Sequence, residues 1–307
     1  MKNKKAFTLL EMIFVIVISA TLAMGSFKAM QMLYLKSAKA KSITDMTLRS
    51  QIVLDQLGVM LYNRVPNSVI GYTSGDKCEA ITELTQSRPI LEWLGTKDDE
   101  LLQRKYDGFI DLGASDKDTD YLAATDINAS LASNSINLIF AGAFDEGAEE
   151  SSSACKGAFG WHGNDSNLSF DVDISDNNIT ITDTVEDPEY IYEKYYLTDT
   201  AYAVARGEDL DQSDLEANCD GGNYVFPSDI NFTNTLFLFY HYQPFKGETF
   251  CGDSTGTRDG NVSILATDVI AFEAMSVNDV IKINLDMNRT IRGSKSVVHI
   301  SKQKVIF

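Results

Sequence analysis

Residues 1–35 read MKNKKAFTLLEMIFVIVISATLAMGSFKAMQMLYL, and their reading decides the fold. Lys2, Lys4 and Lys5 precede an apolar run from Phe7 to about Met24, with Glu11 as the one charge inside it. A run of about 18 to 20 apolar residues is long enough to cross a bilayer core as a helix. Lysines before the run, with no comparable cluster directly after it, predict a cytoplasmic N-terminus. An ordinary secretory signal does not fit. The small residue, Ala6, precedes the apolar run, and no A-x-A cleavage site follows near Ser26. A plain signal anchor gives no reason for Glu11, because a carboxylate within a membrane span is costly unless it is paired.

Ala6, Phe7, Thr8, Leu9, Leu10 and Glu11, behind a short basic leader, resemble the class III signal of type IV pilins and pseudopilins. That signal has a small residue, usually Gly, and then F-T-L-[LIV]-E opening an apolar helix; Ala6 departs from the commoner Gly. The resemblance implies that a prepilin peptidase cuts between Ala6 and Phe7 and methylates the new amine of Phe7. It further implies that Glu11 pairs with the N-terminal amine of a neighbouring subunit during assembly. Two desolvated charges then offset each other. A retained Glu11 argues against the tip pseudopilin that typically lacks this carboxylate.

Working outward, residues 27–64 hold no proline and are rich in Ala, Leu, Lys and Gln. Ile43, Met46, Val53, Leu57 and Met60/Leu61 recur at helical spacing and give one apolar stripe. Pro66, followed by Asn67 and Ser68, marks the end. The expected organisation is a leader over 1–6, a long helix over 7–64 that spans the membrane over 7–26, and an exported globular domain over 67–307. Gly25 is a softening point in the helix.

Residues 67–135 are mixed and polar, and read as a variable region between helix and sheet. Within them the stretch from Thr96 to Gln103 reads as a short capped helix, with Trp93 and Leu94 as core anchors before it. From Ile136 the pattern turns to period two. Strands are predicted at Ile136–Phe140, Leu168–Ile174, Ile179–Thr182, Ala201–Arg206, Leu236–Tyr242, Val269–Met275, Val280–Asp286 and Val297–Ile300. The fold class expected is α+β and pilin-like: a long N-terminal helix packed on an antiparallel sheet, with an enlarged variable region.

The 307 residues carry 26 basic and 44 acidic side chains, a formal charge of −18 that becomes −21 without the three leader lysines. So acidic an ectodomain repels nucleic acid and anionic lipid overall, and a nucleic-acid partner is not expected. Cys78, Cys155, Cys219 and Cys251 are even in number, and an exported domain makes two disulfides their natural reading. Four cysteines allow three pairings. Nearest-neighbour closure favours Cys78–Cys155 and Cys219–Cys251. No C-x-x-C supports a zinc site.

Gly252-Asp-Ser254-Thr-Gly256 fits G-x-S-x-G, and Asp268 or Asp279 with His299 gives a hydrolase chain order. A turn rather than a helix follows, so a disulfide-bounded loop is the expectation, and no enzyme activity. Asp116, Asp118 and Asp120 resemble the opening of a calcium loop, but Tyr121 stands where that loop needs glycine and Ile127 where it needs glutamate. The expected cofactor is therefore none, with Ca²⁺ as the one candidate. Asp171 and Asp173 alternate on a strand and share its exposed face. The aromatic stretch from Leu236 to Phe245 reads as a central strand buried on both faces. Residues 281–307 are locally basic, with Lys282, Arg289, Arg292, Lys295, Lys302 and Lys304 against Asp286. They read as edge-strand cations that discourage aggregation.

Length and the strands from Ile264 to Leu285 are similar to those of the larger minor pseudopilins and minor pilins. The resemblance implies a subunit that starts or caps a type IV pilus or a type II secretion pseudopilus. Its partners would be prepilin peptidase and other subunits, and its location the inner membrane and then the filament. An adhesive or DNA-uptake tip protein acting through its ectodomain is the alternative.

Overall fold

The computed structural model describes residues 8–74, 78–80, 86–96, 107–116, 121–124, 136–141, 159–163, 166–175, 178–182, 188, 190–253, 257–277, 280–291 and 293–307. Its architecture is α+β, a long N-terminal helix followed by antiparallel sheets. Of the helix predicted over 96–103, all but Thr96 lies outside the described residues.

Helix α1 runs unbroken from Leu9–Tyr62, 54 residues, through Gly25. At 1.5 Å per residue it is about 80 Å long. It begins at a Thr8-x-x-Glu11 capping pair and stops before Pro66, where Asn67 takes a left-handed backbone (φ 63°). Its two halves differ in burial. Every residue from Leu9 to Tyr34 is exposed, whereas Met46, Ser50, Val53, Leu54, Leu57 and Leu61 are buried on one stripe. Ile43 is 39% exposed, so the buried stripe starts one turn later than the spacing suggests.

The chain forms two compact units, one of Met1–Leu48 with Asn288–Ile300 and one of Arg49–Met287 with Ser301–Phe307. In the first, the N-terminal part of α1 is joined to the turn segment by Arg289 Nη1, which donates to Asp45 Oδ2 at 2.6 Å. Ile291 N donates to Ser296 O and Ser294 N to Ile291 O, both at 3.0 Å, closing the turn.

The second unit is built around a six-stranded antiparallel sheet. Its strands are β1 (Ile70–Tyr72), β2 (Glu79–Ala80), β3 (Ile90–Gly95), β10 (Thr200–Arg206), β11 (Leu236–Tyr242) and β14 (Asn261–Ala266), in the order β14-β11-β10-β3-β1-β2. β3 corrects the reading of residues 67–135 as a region outside the sheet: Ile90–Gly95 is wholly buried beside β10. Trp93 and Leu94 are fully buried on it, and Trp93 stacks on Tyr202 with centroids 5.6 Å apart. Gly95 is required there, since a Cβ would meet the Tyr202 ring at 2.4 Å. Ala201, Ala203 and Ala205 of β10 leave space that Phe237, Phe239, Phe250 and Tyr242 fill, with Phe239 and Phe250 centroids 4.7 Å apart. β11 is central and almost wholly buried, as its unbroken apolar run predicts.

Between β3 and β10 the chain builds a second core of its own. Strands β4 (Asp107–Phe109), β5 (Tyr121–Ala123), β6 (Asn137–Phe140), β7 (Phe170–Ser175), β8 (Asn178–Ile181) and β9 (Lys194–Thr198) pair in the order β4-β9-β6-β7-β8-β5. The Ile110↔Ala124 bridge, with Asp111 N donating to Ala123 O at 2.8 Å, joins the first strand to the last. The sheet therefore closes into a small barrel. Leu122, Leu138, Phe140, Val172, Ile179, Tyr195 and Leu197 fill it. The enlarged region is thus an inserted barrel, and the expected single sheet is several.

Strands β12 (Glu248–Phe250) and β13 (Thr257–Asp259) form a short parallel pair. Finally β15 (Val269–Val277), β16 (Val280–Thr290) and β17 (Val297–Ile306) form a three-stranded sheet in that order. Ile281, Ile283, Leu285 and Met287 alternate as its buried row.

Candidate functional site

The N-terminal helix presents the largest unpartnered surface among the described residues. Leu9 is 80% exposed and Phe27 74%, and the side chains between them are mostly apolar and all exposed. An apolar face this size marks a membrane or protein contact. One stretch of the helix is long and apolar enough to cross a bilayer, and none of that stretch is buried in the protein.

Glu11 sits in the first turn of this surface. Its Oε2 accepts from Thr8 N at 3.4 Å and lies 3.5 Å from Thr8 Oγ1, while Glu11 N donates to Thr8 Oγ1 at 3.4 Å. This is a reciprocal cap that satisfies two helix-end donors. These are long, exposed bonds, so the carboxylate keeps acceptor capacity for a cation brought beside it. The positive end of the helix dipole favours a carboxylate at this position. Ala6 and Phe7, the expected cleavage and methylation residues, lie outside the described residues.

The other sequence candidates scatter. Cys219 and Cys251 are joined, with Cα atoms 5.0 Å apart. Cys78 is disulfide-bonded, and Cys155 lies outside the described residues. Ser254 and Asp279 lie outside them too, and His299 is exposed on β17. Asp116 forms a β-bridge with Tyr121, and Asp118 and Asp120 lie outside the described residues. Asp171 and Asp173 share the outward row of β7, with Lys246 Nζ 3.8 Å from Asp171 Oδ1. Among the described residues, no group of three His, Cys, Asp or Glu side chains converges to hold a metal ion.

The basic C-terminal stretch is turned partly inward. Lys302 Nζ donates to Gln51 Oε1 at 3.0 Å and Lys304 Nζ to Asp55 Oδ1 at 2.7 Å, both on α1. With Arg289 on Asp45, these contacts correct the reading of the cations as a merely solvated edge, and Arg292 lies outside the described residues.

One cluster escaped sequence reasoning. Glu92, in the middle of β3, is 1% exposed. Its Oε1 accepts from Tyr72 Oη at 2.5 Å and lies 2.9 Å from His162 Nε2, and its Oε2 accepts from Tyr242 Oη at 2.6 Å. His162 Nδ1 lies 3.1 Å from Asp253 Oδ2. With a carboxylate on each ring nitrogen, the imidazole is held as the doubly protonated cation. Burial alone pushes it down, but Glu92 and Asp253 outweigh burial and raise it to about 10. The Tyr72 and Tyr242 phenols are pushed well above their ordinary value, by burial first and by Glu92 next. His162 adopts a left-handed backbone (φ 53°), and the preceding Gly160 packs where a Cβ would meet Pro244 O at 2.4 Å. The two ion pairs offset that strain and fasten the segment 159–163 to the main sheet. The cluster presents charge-assisted bonds and no nucleophile among the described residues. Its chemistry is that of a lock.

The prokaryotic N-terminal methylation motif matches residues 1–27. No curated protein sequence and no solved structure matches the chain. At the head of an exposed, membrane-length helix, the chain therefore carries the class III signal of type IV pilins and pseudopilins.

Proposed function

We propose that this chain is a minor pilin or pseudopilin, an assembly subunit without catalysis of its own. Prepilin peptidase removes residues 1–6 on the cytoplasmic side and methylates Phe7. The helix holds the subunit in the inner membrane with the globular domain outside the cytoplasm, until it is drawn into a pilus or pseudopilus that it helps to start or cap. The observation that carries this reading is the wholly exposed apolar surface of Leu9–Tyr34 with Glu11 in its first turn. Such a surface is satisfied first by lipid and then by the helices of other subunits, and Glu11 meets the amine that cleavage creates. The inserted barrel supports a subunit used a few times rather than throughout a shaft, because it adds bulk that repeated close packing would have to accommodate.

Glu11→Leu tests the assembly step. The variant is cleaved and stays in the membrane, but its recovery in sheared filaments falls by at least about ten-fold, the loss expected for about 1.4 kcal/mol of subunit pairing. Undiminished recovery would remove Glu11 from assembly.

A further inference from the structure

We propose that the segment just beyond the apolar helix and the turn between β16 and β17 together form a basic collar that binds anionic lipid headgroups. The inference rests on the reading of the preceding helix as a membrane span. Exposed apolar side chains continue to Tyr34, and Lys36, Lys39 and Lys41 follow at once, all exposed. At about 100° per residue these three lysines point to different sides of the helix, so they ring it rather than stripe it.

The second piece comes from the far end of the chain. Arg289 is bonded to Asp45, and the strand that delivers it continues into the turn 291–296. Exposed Lys295 on that turn belongs to the same compact unit as Lys36, Lys39 and Lys41, beside the part of α1 that Arg289 holds.

Charge singles this unit out. Leu9–Leu48 with Asn288–Ile300 holds seven Lys or Arg against two acids, in a chain with 26 against 44. Of the two acids, Asp45 is occupied by Arg289, and Glu11 lies at the far end of the apolar stretch. A cation cluster where an apolar helix leaves the bilayer is complementary to an anionic lipid surface. The attraction fades over a Debye length of about 8–10 Å, so it acts on groups at the headgroups and spares the acidic remainder. Such a collar would fix the height of the subunit in the membrane before extraction.

The test uses the full chain with Ser294→Cys carrying an environment-sensitive fluorophore, in vesicles of phosphatidylcholine alone or mixed with phosphatidylglycerol. Flotation with both vesicle types reports the span, and failure to float would overturn the span and the collar with it. The label reports the collar. It should be shielded from an aqueous quencher several-fold better in the anionic vesicles. The shielding should vanish in molar salt and in the triple variant Lys36→Glu, Lys39→Glu, Lys41→Glu. Equal quenching in both vesicle types, with flotation intact, would overturn the collar alone. Shielding that appears only in assembled filaments would also overturn it, and would assign the cations to acidic surfaces of neighbouring subunits.

Discussion

His162 Nε2 lies 2.9 Å from Glu92 Oε1, joining residues seventy positions apart in the chain. With Asp253 on the other ring nitrogen, the pair sits against the main core, and the Tyr72 ring packs edge-on to the imidazole. Removing one member of such a buried set strands the others. His162→Ala should therefore destabilise the globular domain by about 3–5 kcal/mol, read as a lowered urea midpoint. A loss below 1 kcal/mol would mean that water replaces the imidazole readily.

The same pair sets a pH dependence with a definite sign. His162 is raised from its ordinary 6.5 to about 10, so the folded state holds the proton more tightly than the unfolded chain. Its contribution is complete below about pH 6.5 and is lost as pH rises through about 10. The stability difference between the native chain and His162→Gln should shrink steadily across that window. A constant difference would contradict the imidazolium assignment.

Leu57 and Ile52 lie on the same helix with opposite exposure, 1% and 63%. Leu57→Ala should cost about 2–5 kcal/mol of unfolding free energy, whereas Ile52→Ala should stay within about 0.5 kcal/mol. Equal effects would mean that the C-terminal half of α1 is not part of the core.

Reducing the Cys219–Cys251 bridge opens a loop with a sequence separation of 32 residues. The double change Cys219→Ala, Cys251→Ala should lower stability by about 3–4 kcal/mol on the chain-entropy account. Calorimetric unfolding of the variant under oxidising conditions measures this, and an unchanged transition would show that packing around helix α2 (Gln212–Asn218) holds the loop alone.

Gly95→Ala places a methyl group against the Tyr202 ring, where the nearest ring atom is 2.4 Å from the new Cβ. Overpacking between β3 and β10 should cost about 1–3 kcal/mol. A neutral result would show that the Trp93–Tyr202 stack shifts without penalty.

What the sequence made legible follows from how far each signal reaches. The helix was plain because its apolar spacing persists over many turns, and β10, β11, β15, β16 and β17 were plain because seven to eleven residues alternate or run apolar, as in Leu236–Tyr242 and Val280–Thr290. Ile90–Gly95 was hidden because Glu92 interrupts its apolar run, and only the structure shows that the carboxylate is buried among Tyr72, Tyr242 and His162. The barrel was hidden because β4 and β5 are three residues each, too short to show a period. The lock itself draws on five distant residues, and no local pattern joins them. Glu11, by contrast, stood out because a charge inside an apolar run is conspicuous without any fold.

Cleavage before Phe7 would make the N-terminus a processed assembly helix. Mass spectrometry of the mature chain's first peptide, from sheared filaments and from membranes separately, tests it directly. A chain that begins at N-methylated Phe7 is expected in both fractions. A chain that still begins at Met1, or one cut beyond the apolar run near Ser26, would contradict it.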